Sequence, residues 1–155
     1  FTMDVLQPNG LARDVVLVGA GQNELDSLLT QKAAGQGRVV TPDAKPERGL
    51  AFRADHFPFA RRGVPALLLM GMGGGHDLVN GGREAGDRWV ADFTGKCYHQ
   101  ACDRWSESWD LRGAAQDVTL IYQMASQLAN SRAWPQWNPG NEFKAVRDST
   151  VAQRK

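Results

Sequence analysis

No stretch of these 155 residues is long and apolar enough to cross a membrane as a helix. Charge of one sign is missing too. Eighteen Lys and Arg against 17 Asp and Glu leave a formal net charge of +1 with no basic stripe, which argues against a nucleic-acid binder. Cysteine is scarce: there are only two, Cys97 and Cys102. Two cysteines are weak grounds for a metal site. The plainer reading is a pair of free thiols, and a local disulfide is expected only in an oxidising compartment. There is no internal repeat and no low-complexity segment. No Gly-x-Ser-x-Gly elbow supplies a hydrolase nucleophile. Gly19-Ala20-Gly21-Gln22-Asn23-Glu24 opens like a dinucleotide fingerprint, but its third glycine is absent.

What is present fits one globular α/β domain, with 42% hydrophobic and 23% charged residues. The chain opens on an apolar segment, Phe1 to Leu6, with no initiator Met and no polar lead-in, as expected of a sequence cut from something longer. That segment reads as a strand ended by Pro8-Asn9-Gly10. Asp14 to Val18 reads as a second strand, and the short link between the two predicts that they are neighbours. Asn23 is placed to cap a helix carrying Leu25, Leu28 and Leu29, which closes near Gly35 or Gly37. Arg38 to Thr41 is a third short strand. Asp55 is placed to cap a helix running to Arg62, with Gly63 as its left-handed end and Pro65 as its stop. Ala66 to Met70 then reads as a buried strand.

Gly71 to Asp87, rich in glycine, is long for a loop in a compact domain, which predicts function or mobility. A long helix is expected from Leu111 to Asn130, with Leu120, Met124 and Leu128 on one face. The tail from 131 onward is expected to pack back through Trp134 and Trp137, followed by a short polar helix from about Glu142. Strands alternating with helices give an α/β fold, whose ligands collect at strand ends.

Three histidines are candidates for chemistry. His76 reads as a solvated loop residue, and His56 as a structural residue beside a helix start. His99, in Cys97-Tyr98-His99-Gln100-Ala101-Cys102-Asp103, admits two readings: a plain loop residue, or a metal ligand with Tyr98 beside it as a hydrogen-bond donor to a developing oxyanion. Asp103 reads as a helix-start residue or as a partner of His99. Asp4 interrupts an apolar strand. Its carboxylate is either bonded to a nearby loop or needs a metal. Asp55 is either a helix cap or part of a hydrogen-bond network at a site.

Arg53-Ala54-Asp55-His56-Phe57-Pro58-Phe59-Ala60 with Gly63-Val64-Pro65, followed by Tyr98-His99-Gln100 and Asp103, resembles the two-zinc aminopeptidases of metallopeptidase clan MH, family 28. Phe1 to Leu6 is similar to their strand bearing the third metal-binding carboxylate. Pro46-Glu47-x-Gly49 and Trp134-Pro135-x-Trp137 with Glu142-Phe143 are similar to a bacterial branch. The resemblance implies part of a phosphorylase/hydrolase-like three-layer sandwich with a mostly parallel central sheet and flanking helices. It also implies a zinc-dependent exopeptidase acting on peptides. Carried over, Asp4 is a ligand of one zinc and His99 of the other, Tyr98 stabilises the tetrahedral intermediate, and Asp55 supports the site by hydrogen bonding. Ala54 stands where many members have serine.

The family's first histidine ligand, bridging aspartate and Glu-Glu pair have no counterpart here. Residues 1–155 are therefore expected to be the carboxyl-terminal half of a catalytic domain, binding zinc poorly and inactive when alone. Three rivals accompany this reading, the plainest being a free-standing α/β domain produced by truncation and folded through new contacts such as dimerisation of an exposed sheet edge. A glutaminyl cyclase shares the Asp-His-x-Pro-Phe block but carries Trp where Tyr98 stands. A transferrin-receptor-like protein-binding domain would have lost metal ligands, and retention of Asp4 and His99 speaks against it. The resemblance suggests a periplasmic or secreted protein, and an open sheet edge would permit a homo-oligomer.

Overall fold

The computed structural model describes residues 1–153. Four strands form one sheet in the order β1-β4-β2-β3: β1 (Thr2–Asp4), β2 (Asp14–Val18), β3 (Val39–Pro42) and β4 (Leu68–Met70). β1 runs parallel to β4 and β2 parallel to β3, while β2 and β4 are antiparallel. Among the described residues five α-helices accompany the sheet: α1 (Leu25–Gly35), α2 (Phe57–Ala60), α3 (Gly82–Asp92), α4 (Arg112–Ala129) and α5 (Lys144–Ser149). The result is a mixed α/β sandwich with a mostly parallel sheet and flanking helices.

The two faces of the sheet carry separate cores. Val15, Leu17, Leu67 and Leu69 pack against Leu25 and Leu29 of α1 and Leu120 and Met124 of α4. Each such leucine contributes roughly 1.5–3 kcal/mol on burial. The alternate residues Val18, Leu68 and Met70 face the other way, onto Leu50, Ala54 and Met72, with Val5, Phe93 and Tyr98 packed around them. α1 starts one residue later than an Asn23 cap implies: Glu24 is the flanking residue and caps nothing with its side chain, while Asn23 accepts a hydrogen bond from the Leu25 N–H at 3.0 Å. Arg38 and Asp117 lock α4 to the sheet through an ion pair of 2.7 Å, both side chains almost wholly buried.

Three expectations need correction. β1 and β2 are not neighbours, because β4 lies between them. The link between them is no hairpin: buried Gln7 donates to the Gly10 carbonyl at 2.7 Å, and the Gly10 N–H reaches the Asp110 carbonyl at 2.9 Å. The glycine-rich segment is neither one long loop nor loosely held. Residues 71–76 are all buried, and α3 begins at Gly82. A Cβ on Gly86 would collide with the His76 backbone, so glycine there is what lets α3 press onto the segment. Finally, Cys97 and Cys102 are joined as a disulfide, not free.

The tail returns to the domain. Trp137 is buried, and its indole N–H donates to the Gly63 carbonyl at 3.0 Å, whereas Trp134 remains half exposed. Gly63 has φ +79°, and a side chain there would meet the Arg147 backbone at 2.7 Å. That left-handed turn before β4 is therefore fixed by both conformation and contact.

Candidate active-site rim and neighbouring cavity

The carboxyl ends of the parallel strands β1 and β4 define one rim of the sheet. Asp4 is the last residue of β1 and pairs in register with Met70. Register partners share a face, so Asp4 lies on the face where Met70 packs with Tyr98. Asp4 is half-buried, and among the described residues no hydrogen bond or ion pair reaches its carboxylate. The loop-bonded alternative for Asp4 thus finds no donor. A partly desolvated carboxylate in that position invites a cation.

The backbone beside Asp4 is held in an uncommon state. Val5 has φ +44°, a conformation that β-branched residues rarely adopt. Its carbonyl accepts the Gly71 N–H at 2.9 Å, which ties the turn to the end of β4. The one other non-glycine residue with positive φ among those described is His99, at +60°. It follows a π-helical turn, Phe93–Cys97, that extends α3. Such turns and conformations concentrate at functional sites and cost about 1–3 kcal/mol each. Tyr98 packs edge-on to Phe93 at 6.0 Å, and exposed His99 stacks on Tyr98 at 3.9 Å between centroids. The disulfide brackets both residues.

Beside this rim opens a cavity of about 880 Å³, within the range of small-molecule sites. Its lining includes Val5, next to Asp4, and Cys97, next to Tyr98. Two aromatic pairs form its walls. Trp89 and Phe93 are stacked with centroids 5.4 Å apart, and Trp105 meets Trp109 edge-on at 5.2 Å. The sequence reading missed this cavity, because its walls come from segments too far apart to show a pattern. The tryptophans of Asp103-Arg104-Trp105-Ser106-Glu107-Ser108-Trp109 were the available signal.

A second Asp-His group was also missed. Asp14, fully buried at the start of β2, accepts the Asp77 N–H and the Thr41 hydroxyl, each at 2.9 Å, and pairs with Arg83 at 2.6 Å. His76 stands 3.4 Å from it and is itself buried, which corrects the reading of His76 as solvated. Burial alone would raise the Asp14 carboxyl. The bonds from His76 and Asp77, the charge of His76 and the Thr41 hydroxyl outweigh it and hold the group well below the usual carboxylate range. Asp117 shifts the other way, because burial outweighs the attraction of Arg38. Each group has its partners within the fold, so this is a structural lock. The signal for it was a charged residue opening the apolar run Asp14-Val15-Val16-Leu17-Val18.

Asp55 does not cap α2. The helix begins two residues later, His56 is the flanking residue, and no side chain caps it. Asp55 is exposed and accepts no hydrogen bond among the described residues, although its neighbour Ala54 packs in the same cluster as Tyr98. His56 is buried, and burial pushes its imidazole below the usual range, which suits a structural role.

A catalytic zinc takes three protein ligands. Asp4 and His99 have the right donor chemistry, but no group of three His, Cys, Asp or Glu side chains that could hold a metal occurs among the described residues. The described residues therefore do not fit a complete zinc site. The family model of peptidase family M28 matches residues 1–123, from the start of the chain into α4. No curated protein and no solved structure matches the chain.

Proposed function

The chain belongs to peptidase family M28, and from that premise we propose that it forms one half of the active site of a zinc-dependent exopeptidase of the aminopeptidase type. The observation carrying this reading is the half-buried Asp4 carboxylate, which no hydrogen bond or ion pair reaches among the described residues, on the sheet face that also packs Tyr98, with Val5 next to Asp4 and His99 next to Tyr98 both at positive φ. Asp4 and His99 are each offered as one ligand, to two different ions. The remaining ligands and the general base come from residues outside this set.

The chain's own contributions are narrower. Tyr98, braced by Phe93 and the disulfide, carries a phenol at the rim that can donate a hydrogen bond to the oxygen that gains charge when the peptide carbonyl is attacked. Asp55 supports the rim once the missing half supplies donors to it. The disulfide supports an oxidising setting, periplasmic or secreted.

Two measurements test this. Isothermal titration of zinc into the 155-residue chain gives no tight binding; tight uptake of two ions would overturn the half-site reading. Mass spectrometry of peptides incubated with the complete protein shows loss of single amino-terminal residues. Ring closure of an amino-terminal glutamine without chain shortening would replace the peptidase by a cyclase.

A further inference from the structure

α1 and α4 cover the sheet face opposite the one that packs Tyr98. Between them runs a groove whose chemistry differs from that of the rim. Its wider part, about 620 Å³, is walled by Gln31 and Gln36 on one side and by Tyr122, Gln123, Ser126 and Gln127 of α4 on the other. Gly35 keeps this part open, since a Cβ there would meet nothing within 4 Å. Gln36 also lines a second hollow of about 350 Å³, which it shares with Gln116. The Gln36 amide is fixed at both ends: its Nε2 donates to the Gln116 backbone carbonyl and its side-chain oxygen accepts from Arg38, each at 3.2 Å. The side-chain oxygen of Gln116 is buried, and no donor reaches it among the described residues. A buried acceptor in that state is ordinarily answered by a water or a ligand.

We propose that this groove binds a neutral oligosaccharide. Each glutamine amide offers a donor and an acceptor together, which is the pattern that a sugar hydroxyl presents in return. Tyr122 is 71% exposed, so its ring is free to carry the C–H face of a pyranose while its phenol stays in water. The lining speaks against other ligand classes. It holds no aliphatic side chain larger than that of Ala115, which leaves a lipid tail or an apolar peptide little to pack on. Lys32 is the one charged side chain of the wider part, and Arg112 in the second hollow is already paired with Asp110 at 2.5 Å, so an anion finds a single cation. The groove lies across the sheet from the rim. A glycan held there anchors the protein rather than feeding its reaction, and the inference stands apart from the peptidase reading.

Glutamine side-chain amide resonances of the complete, isotopically labelled protein report binding without any need for turnover. The probes are maltotriose and chitotriose. At least one of them should shift the amide signals of Gln31, Gln123 and Gln127 and saturate with a Kd on the order of 1 mM. Tyr122→Ala should weaken that binding about tenfold, whereas Tyr122→Phe should keep it within about twofold, because the ring face makes the contact. Gln127→Ala should weaken it about three- to tenfold through one lost hydrogen bond. Tyr122 and Gln127 are both exposed, so these variants keep their fold. No shift with either sugar at about ten times that concentration, or equal affinity in Tyr122→Ala, would overturn the proposal. A shift caused by inorganic phosphate but by neither sugar would assign the groove to an anion at Lys32 and overturn it as well.

Discussion

The buried polar cluster around Asp14 and the rim formed by Asp4 and Tyr98 are built on opposite plans. Around Asp14, His76, Arg38 and Asp117, side chains are buried and lie within ion-pair distance of partners inside the fold, with the half-exposed Arg83 closing the cluster. Around Asp4, Tyr98 and His99, the groups are half-buried or exposed, no described partner reaches the Asp4 carboxylate, and the adjoining backbone holds two non-glycine residues at positive φ. Strongly shifted titration is often taken to mark a catalytic centre. Here one strongly shifted carboxyl, Asp14, belongs to the lock and another, Asp110, is held low by its bonds with Arg112, whereas the proposed rim is marked by positive backbone φ and a carboxylate without a described partner. Satisfied charges hold the fold together; unsatisfied ones are the candidates for chemistry.

The largest effect should come from breaking the lock. Arg38→Ala leaves Asp117 buried without its cation and should cost about 3–5 kcal/mol, read from the denaturant midpoint. A loss below about 1 kcal/mol would mean the lock is ornamental. Next, Gly86→Ala drives a methyl group into the His76 backbone and should cost about 1–3 kcal/mol. Gly95→Ala, in the π-helical turn near the rim, meets open space and should leave the melting temperature nearly unchanged.

Acid provides a graded version of the same contrast. The folded-state pKa of Asp14 lies below its unfolded value of about 3.9. Its contribution is therefore complete above that value and is lost as the pH falls below about 4, where the unfolded chain takes up the proton first. Asp14→Asn should be less stable than the parent at neutral pH and should lose less stability on acidification. A parallel pH profile for both proteins would contradict the assignment. The smallest effect on stability is expected at the rim. Tyr98→Phe keeps the ring packed on Phe93 and should change stability by less than about 0.5 kcal/mol. Turnover of the complete protein should nevertheless fall by roughly 10²–10³.

Much of the scaffold was legible from sequence. β2 falls where Asp14-Val15-Val16-Leu17-Val18 places it, α1 follows its Asn23 signal, and α4 follows its apolar stripe, because each is set by local periodicity and capping. The order of the strands was not legible. Insertion of β4 between β1 and β2 depends on contacts at long separation, and no local pattern records them. α3 was hidden by Gly81, Gly82 and Gly86, which argue against a helix locally; Gly81 and Gly82 hold the positive φ at its start, and Gly86 is required for its close approach to His76. His76 was misread for the same reason, since its burial comes from that approach. For the rim, residue identity suggested Asp4, Tyr98 and His99. The positive φ of Val5 and His99 and the cavity walls could only come from coordinates.

The contrast between the buried Asp14–His76 cluster and the rim is tested most directly by the metal content of the complete protein carrying either His99→Gln or His76→Gln. The account predicts that the His99 variant, with its fold intact by melting temperature, loses zinc, while whatever fraction of the His76 variant folds retains it. Full zinc in the His99 variant, with zinc lost from folded His76 variant, would place the chemistry in the buried lock and contradict the account.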